Sequence, residues 1–416
     1  MNPVARLRDL DTFQRHVVAA SFLGWTLDAF DFFLLVMMLP TLAHTFEVAV
    51  PAVAVAITLT LAMRPLGALI FGRLADRYGR RPVLMAAIIL FSVLATLAAA
   101  STSLAMLLVL RALFGIAMGG EWGLGAALTM ESIPAEARGV VSGLLQEGYA
   151  FGYLLAAAAY FALFAWIGWR GMFLLGLLPA LLVLYVRRHV PESPVWSARR
   201  ERGSERVSER VSERPAGGWR RLAPRFLFLV LLMTAFNFFS HGSQDLYPTF
   251  LQQQRHFSVQ QTGLLTIVLN VGAILGGLFF GAASERIGRR RAIVIAALLA
   301  LPAIPLWVWA PTPLLLGVGA FVLQFMVQGA WGVVPAHINE LSPDGVRGTL
   351  PGFAYQTGNL IAACTAPLLS MLALRQDGDY AGVLAIFVAG IAVLVAVITA
   401  LGPEARGTRF GSGTGA

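Results

Sequence analysis

The sequence contains no lysine and a single cysteine, Cys364. One cysteine excludes a disulfide framework and a cysteine-built metal centre. Set in an apolar run beside Ala and Thr, it reads as a packed small residue. Charge is scarce: only 13% of the 416 residues are charged, 57% are hydrophobic, and the mean hydropathy is +0.73. A soluble protein of this length would carry about a quarter charged residues, so the composition predicts a polytopic membrane protein. Enzymatic patterns are missing too. There is no nucleophile with a base and an orienting group, no metal-ligand spacing, and no Gly-rich phosphate loop ahead of a soluble domain. No enzymatic activity, cofactor or metal is expected.

All 31 basic residues are arginine, and the net charge is +9. Their positions argue against nucleic acid as a partner, because they cluster at the ends of hydrophobic runs. Apolar runs of spanning length occur at roughly 17–40, 52–74, 83–100, 104–128, 139–163, 170–187, 225–248, 259–283, 291–310, 313–337, 346–371 and 380–401. This predicts an all-α protein of about twelve transmembrane helices. With Met1 on the cytoplasmic side, 26 arginines fall in cytoplasmic segments and three (Arg170, Arg255 and Arg375) on the opposite side. The bias predicts a multi-pass protein of the inner or plasma membrane with both termini inside. Met1–Gln14 is polar and basic and the first apolar run is as long as a spanning helix, so no cleavable signal peptide is expected.

The chain also repeats itself at a spacing of 209 residues. G-R-L-A-D-R-Y-G-R-R from Gly72 matches G-A-A-S-E-R-I-G-R-R from Gly281, and E-S-I-P-A-E-A-R-G from Glu131 matches E-L-S-P-D-G-V-R-G from Glu340. Trp122-Gly123 and Trp331-Gly332 keep the same offset. Two six-helix bundles of like orientation follow, residues 1–187 and 223–416 with a short cytoplasmic tail. They are joined by a cytoplasmic linker at 188–222 holding the reiteration S-E-R-V-S-E-R-V-S-E-R from Ser204.

Within the seventh run, Asn237, Ser240, His241, Gln244 and Asp245 stand at offsets 0, 3, 4, 7 and 8, one face of a helix. A stripe holding His and Asp one turn apart must face protein or a water-filled cavity, because facing lipid costs several kcal/mol per group. A structural hydrogen-bond seam between helices is the alternative.

These motifs carry a resemblance. Gly72, Asp76, Arg77, Gly79, Arg80 and Arg81 resemble the loop 2–3 signature of the major facilitator superfamily, and Arg111, Gly115 and Gly119 its fourth-helix pattern. The resemblance implies two bundles around a central cavity lined by helices 1, 4, 7 and 10. Asn237, Ser240, His241, Ser243, Gln244, Asp245 and Thr249 are similar to the N-x-x-[ST]-H-x-[ST]-Q-D-x-x-x-T pattern of the lactate/pyruvate:proton symporters within the sialate:proton symporter family. W-T-L-D-A-F-D-F-F from Trp25, L-L-Q-E-G-Y-A-F-G-Y from Leu144 and A-Y-Q-T-G-N-L from Ala354 resemble it as well. Glu147 departs, standing where a second amide is expected.

Arg64 and Arg111 are the arginines well inside apolar runs, Arg64 roughly 12 Å from the cytoplasmic end. Each is read either as a bidentate clamp on a substrate carboxylate or as an ion-pair partner of Asp28 or Asp31. The resemblance tilts Arg64 toward substrate. Asn237, His241, Gln244, Tyr355, Gln356 and Asn359 complete the candidate substrate set; Gln324 and Gln328 read as helix glue. His241 and Asp245, with Asp28, Asp31 and Glu147, are the candidates for proton coupling. Gly72, Asp76, Arg77, Gly79, Arg80, Arg81, Arg138, Glu340 and Arg347 read as gating elements. Glu121 joins them as a counter-charge to the loop arginines.

The reading is a monomeric, proton-coupled importer of small monocarboxylates such as lactate or pyruvate, and the absence of an ATP-binding module makes transport secondary. A symporter of sialate or another organic acid, a non-transporting carboxylate sensor and a multidrug exporter are the alternatives.

Overall fold

The computed structural model describes residues 3–207 and 218–411. The reiteration from Ser204 therefore lies largely outside the described residues. Eleven helical runs are long and apolar enough to cross a membrane. One of them, Ala135–His189, has 55 residues. At 1.5 Å per residue it would reach about 80 Å, far beyond a hydrocarbon core of about 30 Å. Gly168 breaks it with φ 60 and ψ −174, outside helical geometry. The run is thus two crossings, and the described residues make twelve.

We label them α1 Thr12–Thr45, α2 Val50–Tyr78, α3 Arg80–Ala100, α4 Leu104–Ser132, α5 135–167 and α6 169–189. The second set is α7 Leu222–Gln253, α8 Gln260–Ile287, α9 Arg289–Val308, α10 Pro313–Leu341, α11 Leu350–Arg375 and α12 Tyr380–Leu401. A short helix, Pro194–Val207, precedes the part of the linker that is not described. Among the described residues there is no strand.

Four helices lose regularity beside polar residues, and the sequence explains two of them. A proline has no N–H and its ring crowds the carbonyl four residues back. Pro248 therefore disturbs α7 at Gln244, and the chain turns at Asp245 and Leu246 before resuming at Tyr247. Pro367 acts likewise on α11, which is interrupted at Ala363 and Cys364. The irregularities in α4 and α5 fall at Gly120 and Glu147.

The end of the molecule that carries most arginines is closed. Asp76 of α2 accepts from Gly348 N–H at 2.8 Å, Thr349 N–H at 3.1 Å and Thr349 Oγ1 at 2.6 Å. A cavity of about 300 Å³ lies beside this latch, between Arg77, Val346 and Phe353. Arg80 and Glu131 form a buried two-pronged pair at 3.1 and 3.2 Å, and Arg289 and Glu340 repeat it 209 residues later at 3.0 and 3.1 Å. Each pair also reaches across: Glu131 to Arg347 at 3.4 Å, and Glu340 to Arg138 at 3.7 Å. Phe410 of the tail lies between Arg138 and Arg347, 3.5 and 3.7 Å from its ring centroid, a geometry suited to cation–π attraction.

The repeat extends to the turns. Gly79 and Gly288, at φ 110 and 96, take left-handed turns that other residues resist. Each is followed by N–H groups received by a carboxylate, Glu192 for Arg80 and Arg81, Glu404 for Arg289 and Arg290. Burial alone would raise the pKa of Glu404. The N–H groups of Arg290, Arg406 and Arg289 outweigh it and hold the carboxyl below the ordinary glutamate value.

The closed end depends on glycine. Gly139 and Gly143 of α5 meet Gly277 and Gly281 of α8 backbone to backbone, and Gly332 of α10 packs on Gly277 as well. A Cβ on Gly277 would overlap the Glu147 carboxylate. Gly277→Leu is therefore expected to hold this seam open. Transport should fall more than tenfold, and a cysteine at Ser142, fully buried here, should become reactive to a polar reagent. Wild-type transport with Ser142 still shielded would contradict this.

Candidate functional site

The polar stripe of α7 divides in two. Ser240, Ser243 and Gln244 bind α10: Gln328 donates to Ser240 Oγ at 3.1 Å, Gln324 to Ser243 Oγ at 2.9 Å, and Gln244 to Gln324 Oε1 at 3.1 Å. Asn237 is 3% exposed and donates to Met233 O of its own helix. That side is the hydrogen-bond seam. Gln244 and Asn237, expected to hold substrate, are bonded here to α10 and to their own helix.

His241 and Asp245 turn the other way. Their side chains are 29% and 39% exposed, and the imidazole Nδ1 stands 3.0 Å from Asp245 Oδ2. Exposure at this place in an apolar helix means a water-accessible cavity between helices. His241 Nε2 lies 3.1 Å from Asn359 Oδ1 of α11. An imidazolium donates to both oxygens. A neutral imidazole keeps both bonds if the Asn359 amide turns its NH₂ toward Nε2, since amide orientation is assigned from the network. The triad accommodates a proton with little movement.

On the other side, Arg64 of α2 is 5% exposed and donates to Asp28 of α1 at 3.0 Å. Arg111 is placed elsewhere. It is 1% exposed, its guanidinium lies against Phe114 and Phe173 at 4.6 and 5.1 Å, and Asp31 acts on it at longer range. It is packed inside the first six helices against these two rings.

One further expectation is corrected. Glu121 does not counter the loop arginines, because Arg80 is taken by Glu131 and Asp76. Instead Glu121 is buried in mid-helix within electrostatic range of Asp28 and Arg64. Glu147, a candidate for proton coupling, stands in the α5–α8 seam against Gly277, with Oε1 lacking a protein partner. The helices bearing site residues also differ from those the resemblance implies, since α2, α5 and α11 contribute directly.

An aromatic row joins the two sets of groups. Tyr149 of α5 stacks on Trp25 at 5.7 Å, Trp25 meets Trp122 edge-on at 6.3 Å, Trp122 contacts Tyr355 of α11 at 4.4 Å, and Tyr355 meets Trp331 at 5.8 Å. Trp25 and Trp122, quoted in the sequence only within motifs, are not among the candidate site residues; the available signal is an acid nearby inside an apolar run, Asp28 one turn after Trp25 and Glu121 next to Trp122. Tyr149 is 36% exposed, and the charges of Asp245, Arg64 and Asp28 all act on it. Tyr355 experiences Arg64 and Asp28 likewise. Gln356 is 1% exposed, with Oε1 lacking a protein partner. A guanidinium, an imidazole–carboxylate pair, two phenols and amides thus converge from separate helices, a set suited to a small polar anion.

The profile described as "Major Facilitator Superfamily" matches residues 21–250, more than half of the chain, and "Sugar (and other) transporter" matches 227–406. The chain belongs to the major facilitator superfamily. Among its relatives is the "Probable 4-methylmuconolactone transporter" of Cupriavidus pinatubonensis, 32% identical over 84% of this chain and 82% of its own. The "Sialic acid transporter NanX" of Escherichia coli is 28% identical over 95% of both chains, and the "Carboxylic acid transporter protein homolog" of Saccharomyces cerevisiae is 28% identical over 97% of this chain and 70% of its own. The structure of the proton:xylose symporter XylE bound to 6-bromo-6-deoxy-D-glucose superposes with TM-score 0.76 at 20% identity, covering 96% of this chain and 98% of that one. That likeness concerns the fold. The chain is a multi-pass membrane transporter of this superfamily and not an enzyme.

Proposed function

We propose that this transporter carries small organic monocarboxylates of the lactate/pyruvate class into the cell together with a proton. The observation that carries the reading is the row Trp25–Trp122–Tyr355: one turn beyond Trp25, Asp28 holds Arg64, and one turn beyond Tyr355, Asn359 meets the His241–Asp245 pair. A cationic fork and a protonatable pair therefore flank one aromatic row, as an anion–proton symporter requires. Relatives named for sialic acid and carboxylic acids agree with an acid as substrate. A symporter of another organic acid is the second reading, favoured by the relative named for 4-methylmuconolactone.

In this reading Arg64 holds the carboxylate, and Asn359 and Gln356 meet a hydroxyl or keto oxygen. The His241–Asp245 pair takes the proton. Both termini are cytoplasmic, so the closed arginine-rich end faces inward and the cavity faces outward. Alternating access follows from rocking the bundles 1–187 and 223–416 about the glycine seams, with the protein acting as a monomer. Uptake of labelled lactate and pyruvate into proteoliposomes, with and without an inward proton gradient, tests the function. No uptake of either acid, or uptake indifferent to the gradient, would overturn it.

The orientation has its own check, in a protein whose exposed Cys364 has been replaced by serine. Cysteines at Thr312 and Arg375 are expected to react with an impermeant reagent in intact cells. Those at Asp9 and Arg409 should react only after permeabilisation. The reverse pattern would invert the topology.

A further inference from the structure

The charges buried in the first six helices do not balance. Asp28, Asp31 and Glu121 are 1%, 3% and 1% exposed, and Arg64 and Arg111 5% and 1%. The five act on one another: Arg64 is bonded to Asp28, Arg111 and Asp31 attract each other at longer range without a bond, and Glu121 lies in range of Asp28 and Arg64. Three carboxylates against two guanidiniums leave one negative charge over, where an unpaired ion costs several kcal/mol.

Of the three acids, Asp28 holds a guanidinium at 3.0 Å and Asp31 has Arg111 at longer range, whereas Glu121 has no guanidinium of its own, and its surroundings are built around it. Gly24 of α1 makes room for Oε1, since a Cβ there would overlap it. Oε2 is buried with no protein partner. Glu121 lines a cavity of about 10 Å³ with Ser21, Trp25, Trp122, Leu145 and Pro335, room for about one water. Trp25, whose Nε1–H is likewise buried without a protein partner, borders the same space. The charges acting on Glu121 are Asp28 of α1 and Arg64 of α2. From α5 and α10 it meets only Leu145 and Pro335 across the cavity. Pro335 belongs to α10 in the second set of helices, so one wall of the cavity comes from across the closed end.

We propose that Glu121 is a proton-binding residue of the transport cycle, neutral while the arginine-rich end is closed and discharged to that side when α10 withdraws. On discharge Oε2 gives its proton to water entering from the opened end. The carboxylate left behind competes for Arg64 and displaces a substrate carboxylate held there. Proton release and substrate release then occur on the same side.

This rests on the symport reading for its transport arm alone. Infrared spectra of the purified protein in liposomes at neutral pH provide an arm that does not. The difference between wild type and Glu121→Gln is expected to contain the C=O band of a carboxylic acid, and Glu121→Asp should restore such a band, shifted in frequency. Bands of an ionised carboxylate in that difference would overturn the proposal. In transport, Glu121→Gln should lose at least tenfold of proton-driven accumulation, and Glu121→Asp should recover it with a displaced pH profile. Wild-type accumulation in Glu121→Gln would also overturn it. A wild type that shows the acid band but no proton-driven uptake would sink the symport reading and leave the proton on Glu121 standing.

Discussion

Arg64→Lys is expected to weaken carboxylate binding by about 10- to 100-fold, or about 1.4–2.8 kcal/mol. Lysine keeps the charge and can still neutralise Asp28. What it loses is the planar fork that gives two parallel bonds to a carboxylate. The effect should appear in the dissociation constant of lactate or pyruvate, measured by calorimetry on detergent-purified protein. Arg64→Ala is the harsher change, because it leaves Asp28 buried without its 3.0 Å partner. Breaking such a pair costs about 3–5 kcal/mol of stability, so its binding defect must be read beside its thermal stability. Asp28→Asn in the Arg64→Ala background removes the stranded charge and should recover stability without recovering affinity. Wild-type affinity in a stable double variant would exclude the clamp. Arg111 could not easily replace it, packed as it is against Phe114 and Phe173.

Asp245→Asn is expected to separate exchange from accumulation. A symporter returns empty only after its proton has left, and asparagine imitates the loaded state permanently. The variant should exchange labelled for unlabelled substrate across the membrane and fail to concentrate it above equilibrium. Linkage requires that substrate raise the affinity for the proton by the factor by which the proton raises affinity for substrate. Substrate binding to Asp245→Asn should therefore lose most of its pH dependence. His241 bridges Asp245 and Asn359, so His241→Asn should displace the pH profile if imidazole tunes the carboxyl, and abolish coupling if imidazole carries the proton. Undiminished accumulation in both variants would remove α7 from the coupling mechanism and leave the acids of the first six helices, Glu121 among them.

Much of this was written in the sequence because helices in hydrocarbon obey local rules. The apolar runs fixed the crossings, including the separate fifth and sixth that the structure divides at Gly168. The i,i+4 spacing of His241 and Asp245 already placed them in contact, since 3.6 residues per turn brings such side chains together. The 209-residue repeat foretold that Arg80 and Arg289 would sit in matching surroundings, as their glutamate partners show.

Contacts between helices were decided otherwise. His241 meets Asn359, 118 residues away, and Glu121 meets the Asp28–Arg64 pair instead of the loop arginines. A soluble helix announces its buried face by contrast with a polar one. A membrane helix is apolar on the lipid side and on much of the packed side, so its pattern leaves the rotation about its own axis open. That rotation is set by close approach at Gly24, Gly143 and Gly277 and by bonds such as Gln324 to Ser243. Each of these needs two distant segments at once. The sequence determined which residues could not face lipid. Only the packing of twelve helices decided which of them face the cavity and which face one another.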